Sequence, residues 1–159
     1  MKETILVTGG FGFIGVNLVR RLIESTEHSI VILSRKKPKN IPSQFSNSKR
    51  IKIIRSSILQ KKLLEEAVKR SSIIVHLASI TDSTIAVDNV AEMLETNIIG
   101  TALLLEVAQK YKIKKIILLS SGGVYGSLTK GKKIDEHHPF NPVNPYTASK
   151  LASDHIALA

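Results

Sequence analysis

Tyr146-Thr147-Ala148-Ser149-Lys150 sets a phenol and an ammonium at positions i and i+4. In a helix that spacing puts both side chains on one face. An ammonium beside a phenol favours the phenolate and lowers its pKa. Such a phenolate is a base for a hydroxyl proton. Pro145 stands just before the tyrosine and suits the first turn of that helix. A second run, Thr8-Gly9-Gly10-Phe11-Gly12-Phe13-Ile14-Gly15, has the composition of a phosphate-binding turn. It follows a short apolar run and opens a segment of helical periodicity, the context such a turn needs. Gly9 turns the chain off the strand, Gly12 keeps the backbone open to a pyrophosphate, and Gly15 lets the helix approach the sheet. The helix N-terminus adds free N–H groups and a positive dipole.

The elements that must carry these residues alternate along the chain. Strands are predicted at Thr4–Thr8, Ile30–Leu33, Ile51–Ile54, Ile73–Leu77 and Lys115–Ser120. Helices are predicted at Phe13–Ser25, Lys61–Arg70 and Met93–Lys110, with a last one from near Pro145 to Ala159. In the first helix Ile14, Leu18, Leu22 and Ile23 are expected to share a face. Lys36–Lys49 and Leu128–Asn144 read as loops, being rich in proline and polar residues. Strand–helix alternation with strands apolar on both sides predicts an α/β fold: a doubly wound parallel sheet, covered on both faces.

The glycine spacing G-x-x-G-x-x-G and its flanks resemble the extended short-chain dehydrogenases/reductases, the NAD(P)-dependent epimerase/dehydratase family. The resemblance covers essentially the whole chain. It implies a Rossmann fold with strand order 3-2-1-4-5 and a dinucleotide at Gly9, Gly12, Phe13, Ile14 and Gly15. NAD-preferring members usually carry Asp where this chain has Ser34. Arg35 beside Lys36 and Lys37 can instead grip a 2′-phosphate, so the reading leans to NADP over NAD. Ser57-Ile58 stands where the family has Asp and a hydrophobic residue against adenine. Leu77, Ala78 and Ser79 match the turn whose backbone lines the cofactor, and His76 reads as a packed histidine. Asn97 matches the asparagine that fixes the local backbone and hydrogen-bond network. Aligned on Val124-Tyr125-Gly126, Ser121 matches the catalytic Ser/Thr. The resemblance then casts Tyr146 as the base for a sugar hydroxyl while hydride passes to nicotinamide. Ser121 holds the reacting oxygen, and Lys150 also holds the nicotinamide ribose. The family's 4,6-dehydratases carry Asp-Glu directly after the catalytic Thr, where this chain has Gly122 and Gly123. A nucleotide-sugar epimerase is therefore the leading reading, with a carbonyl reductase and a cofactor-binding module without turnover as alternatives.

Composition bounds the rest. The chain has 159 residues and no cysteine, so disulfides and thiolate metal sites are excluded. The lack of cysteine fits a reducing cytoplasm, and no run is long and apolar enough for a membrane span or a signal segment. The formal net charge is +10, in lysine clusters at Lys36, Lys37 and Lys39, at Lys112, Lys114 and Lys115, and at Lys130, Lys132 and Lys133. These are not interleaved with aromatics, so nucleic acid is disfavoured. Asp135-Glu136-His137-His138 are adjacent loop residues that do not converge on one ion, so no metal is expected. Extended family members are about twice this long. The chain therefore reads as an incomplete Rossmann domain over residues 1–159, lacking the substrate domain. Its apolar fifth strand is expected to lie at an edge and to drive self-association.

Overall fold

The computed structural model describes residues 2–35, 42–46, 48–81, 89–126 and 133–159. Strand β1 covers Thr4–Thr8, β2 Ser29–Ser34, β3 Ile51–Arg55, β4 Ile73–His76 and β5 Lys115–Leu118. They form one parallel sheet in the order β3-β2-β1-β4-β5. This is the predicted Rossmann order. The helices are α1 (Phe13–Ser25), α2 (Ser43–Ser46), α3 (Lys61–Lys69), α4 (Val90–Leu94), α5 (Gly100–Lys110) and α6 (Pro145–Leu158).

The chain divides into two compact units, Met1–Ala78 with Leu103–Leu119, and Ser79–Ala102 with Ser120–Ala159. The first holds the sheet. Side chains of a strand point alternately to opposite faces, and here both faces are buried. Leu6, Val31, Leu33, Ile54 and Ile74 pack with Leu64, Ala67 and Val68 of α3 and Leu104, Val107 and Ala108 of α5. Ile5, Val7, Ile30 and Ile32 pack with Val19 of α1 and Phe45 of α2. A doubly covered sheet explains why the strands read as apolar runs without alternation. The second unit has a smaller cluster, in which Ile80 and Met93 pack with Val90, Leu94 and Tyr146.

Three expectations need correction. Ile14 does not sit on the core face of α1: it is half exposed, and the buried residues of that helix are Gly15 and Val19. The helix predicted at Met93–Lys110 is interrupted by a π-helical turn at Glu95–Ile99, and α4 begins three residues earlier. The segment read as irregular up to Lys49 contains the single turn of α2, anchored by Phe45, which is 1% exposed. Lys36, Lys37, Lys39, Lys130 and Lys132 lie outside the described residues.

Candidate active site and cofactor turn

The glycine turn belongs to the first unit. Gly9 has φ +69°, and a Cβ there would lie 2.8 Å from the Ala78 nitrogen. Only glycine meets both demands. A Cβ on Gly15 would lie 2.4 Å from the Gly9 carbonyl oxygen, so α1 can start this close to the turn only without a side chain. At the start of α1 no side chain caps the helix, and its first turn carries no acid. The first N–H groups of a helix have no intrahelical acceptor. Phe13 is 88% exposed, and Gly12 and Ile14 are exposed beside it. An open, uncapped, acid-free N-terminus preceded by glycine backbone suits a pyrophosphate.

Around it stand the other residues expected at the cofactor. Ser34 ends β2, and its carbonyl accepts the Ser56 N–H at 3.1 Å. Arg35 follows, exposed. Ser57 Oγ accepts the Leu59 N–H at 3.2 Å. The side chain of Ile58 packs in the core at 3% exposed. The Leu77–Ala78 peptide lies against Gly9.

The second unit contains Ser79, Asn97, Ser121, Tyr146 and Lys150. Asn97 sits in the π-turn, 2% exposed. Its Oδ1 accepts from the Ile80 N–H at 2.8 Å and the Ser79 hydroxyl at 3.0 Å. Its Nδ2 donates to the Ile80 carbonyl at 3.1 Å and to Ser149 Oγ at 3.0 Å. An asparagine amide offers two lone pairs and two N–H bonds, so this side chain is fully used within the protein. Its carbonyl accepts the hydroxyls of Thr101 at 2.6 Å and Ser153 at 2.8 Å. Ser149 and Ser153 are both fully buried on α6. The motif reading passed over both serines, since only their i, i+4 spacing hints at a shared face.

Helix α6 is set by its N-terminus. Asn144 Oδ1 accepts the Thr147 N–H at 2.8 Å, and Thr147 Oγ1 accepts the Asn144 N–H at 3.3 Å, a reciprocal capping box with Pro145 in the first turn. Tyr146 follows, half-buried against Ile80 and Met93. Lys150, one turn on, is 6% exposed. Burial lowers its pKa below the usual lysine value, and the charge of Asp154 opposes that shift. Asp154, which the motif reading also missed, accepts a hydrogen bond from the Ser120 hydroxyl. Ser121 caps the 3₁₀ turn Gly122–Tyr125, its Oγ accepting the Gly123 N–H at 3.2 Å.

The model of the NAD dependent epimerase/dehydratase family matches residues 5–159. The chain is 35% identical to the putative UDP-glucose 4-epimerase of Methanocaldococcus jannaschii over 94% of its length. It spans 48% of that relative, and about half the length of the other curated relatives it matches. The solved UDP-glucose 4-epimerase of Thermus thermophilus, in complex with NAD, superposes with a TM-score of 0.87 at 30% identity, covering 98% of this chain and 50% of that one. The dTDP-glucose 4,6-dehydratase of Bacillus anthracis, also in complex with NAD, superposes at 0.86 with 32% identity, covering 98% and 49%. With its parallel sheet, its glycine turn and its Tyr–Lys helix, the chain belongs to the NAD dependent epimerase/dehydratase family.

Proposed function

We propose that this chain is the cofactor-holding part of an NAD(P)-dependent nucleotide-sugar epimerase. The observation that carries the reaction class is the pair Gly122–Gly123 beside Ser121. Elimination needs an acid and a base where the family's dehydratases carry Asp-Glu. A Cβ on Gly123 would lie 2.6 Å from Thr147 Cγ2, a short, buried side chain engaged in the capping box. An acid at that position has no room. Epimerisation asks less: reversible hydride transfer and a turn of the keto-sugar between the two transfers.

The roles follow the motif. The backbone from Gly9 to Gly15 and the start of α1 hold the pyrophosphate. A bound nicotinamide supplies the hydride acceptor and donor. Tyr146 takes the sugar hydroxyl proton and later returns it. Ser121 hydrogen-bonds the reacting oxygen. Lys150 supports the phenolate and holds the nicotinamide ribose, with Asp154 helping to keep its ammonium charged. For the cofactor the reading is NADP, carried by Arg35 and by Ser34 in place of the usual Asp. NAD is the second reading, favoured by the NAD complexes of the similar structures. A carbonyl reductase is the alternative chemistry, favoured by the same Arg35.

Fluorescence titration of the purified chain with NADPH and with NADH tests the cofactor. NADPH is expected to bind tighter, and Arg35→Ala to remove the difference. Tighter NADH overturns the 2′-phosphate assignment, and binding of neither overturns the dinucleotide site. Turnover is tested with UDP-sugars on this chain and on a longer protein containing it. The longer protein is expected to interconvert epimers without net use of cofactor, and the 159-residue chain to bind without turnover. Net consumption of NADPH by the longer protein establishes the reductase instead.

A further inference from the structure

Thr8 and His76 face each other across the ends of β1 and β4, as direct partners in the parallel register. Thr8 is 0% exposed and His76 2%. Thr8 Oγ1 lies 2.7 Å from His76 Nδ1, 3.1 Å from the Ala78 nitrogen and 3.2 Å from the Leu77 nitrogen. A threonine hydroxyl has one proton and two lone pairs. The two backbone N–H groups can only donate, and that of Leu77 is shared with the Thr8 carbonyl at 3.1 Å. Among the described residues in contact with the hydroxyl, His76 Nδ1 is the group that can accept its proton. A proton on Nδ1 would leave the buried hydroxyl facing donors alone. Nδ1 is therefore bare, and the ring carries its proton on Nε2.

The peptide that Thr8 holds is the one Gly9 is packed against. A Cβ on Gly9 would come within 2.9 Å of the Leu77 carbonyl carbon as well as 2.8 Å of the Ala78 nitrogen. One hydroxyl thus ties the exit of β4 to the first residue of the glycine turn, and the imidazole fixes which way that hydroxyl points. We propose that His76, as the Nε2–H tautomer, is a positioning residue for the cofactor turn: it takes the Thr8 proton and so holds the Leu77–Ala78 peptide against Gly9. The role in cofactor binding rests on the dinucleotide reading above; the tautomer and the placement of the turn do not.

Two measurements test this on the whole 159-residue chain. The first is a long-range proton–nitrogen correlation spectrum of the nitrogen-15-labelled protein, with His76→Asn assigning the signals. The His76 pattern is expected to show an unprotonated Nδ1 and a protonated Nε2. A proton on Nδ1 overturns the proposal. The second compares Thr8→Val and His76→Leu, which remove one partner, with Thr8→Ser and His76→Asn, which keep a hydroxyl or an acceptor. The first pair is expected to weaken NADPH or NADH binding by about tenfold or more and to shift the Gly9 and Ala78 amide resonances; the second pair should stay within about threefold of the wild type. Unchanged binding and amides in His76→Leu overturn the proposal. Loss of binding in all four variants alike does so too, since a general structural role makes no distinction between the pairs. Should the unaltered chain bind neither nucleotide, the dinucleotide reading fails, and the tautomer with the Gly9 and Ala78 amides still decides the proposal. If Thr8→Val does not fold, the tautomer and the His76 pair decide it.

Discussion

Gly15 and Gly122 represent opposite uses of a missing side chain. Gly15 lies inside α1, where alanine ordinarily stabilises by about 1 kcal/mol. A Cβ there would lie 2.4 Å from one backbone atom and 2.6 Å from another, so the sign reverses. Gly15→Ala is expected to cost about 2 kcal/mol or more in urea unfolding and to abolish nucleotide binding. Nothing lies within 4 Å of a Cβ on Gly122, and Gly122→Ala should stay within about 0.5 kcal/mol. Lys150 gives a third residue-level test. Its lowered pKa means that the fold disfavours the ammonium. The penalty is present below the folded pKa and fades as pH rises through it toward the unfolded value. Lys150→Met should therefore raise the melting temperature near neutral pH, by a stabilisation of about 1 kcal/mol, and remove the alkaline gain seen in the wild type. The glycines and the Tyr–Lys pair were legible because their meaning is local. Thr8 was not, since its partner lies 68 residues away; Asn97 was singled out through the family resemblance, though not its partner Ser149, 52 residues on.

At the scale of elements, the π-turn is what apolar periodicity missed. Met93 and Leu104 are both buried, so a continuous helix satisfied the pattern from Met93 to Lys110. The extra residue per turn appears only in hydrogen bonding: it directs Asn97 inward and leaves its carbonyl to two hydroxyls. Such turns recur at functional sites. Asn97→Ala removes four side-chain bonds from a buried place and should cost about 3 kcal/mol or more, against about 1 kcal/mol for Ser149→Ala. A double-mutant cycle in urea is expected to be non-additive, because the two side chains share a hydrogen bond. Additive costs would place Ser149 outside the network. The α2 turn escaped for a related reason. Its buried anchor, Phe45, sits among serines and prolines that signal a loop.

For the whole molecule, the doubly covered parallel sheet followed from strand–helix alternation, whereas the strand order and the edge position of the fifth strand came with the family resemblance. Strand β5 pairs only with β4 among the described residues, and Ile117 is 47% and Leu119 40% exposed. An apolar edge of this kind invites another strand. The chain is expected to self-associate in sedimentation, and Ile117→Lys to reduce that association; a wild-type monomer at high concentration would exclude it. Acid should also weaken the fold. The carboxyl of Glu3 is held below its usual pKa by hydrogen bonds from Ser72 and Lys114, that of Glu65 by Lys110 and that of Glu66 by Lys52. Stability from these pairs is present above the ordinary carboxylate range and is lost as pH falls through the lowered values. All three are only partly buried, so high salt should screen the pairs and flatten the fall in melting temperature with acid. No helix among the described residues is long and apolar enough to cross a membrane.

The closeness of Thr147 Cγ2 to Gly123 also constrains the order in which this sequence can change. A lineage moving toward elimination chemistry has a free step at position 122, where space is open. At position 123 it meets a barrier, because any side chain strikes a residue that caps α6. Thr147→Ser opens the way. It keeps the hydroxyl that completes the cap and removes the methyl that fills the space. The permissive change must come first, is silent by itself, and lies on a different element from the residue it frees. Descendants that acquired an acid at 123 should carry a smaller residue at 147 as a record of that sequence of events.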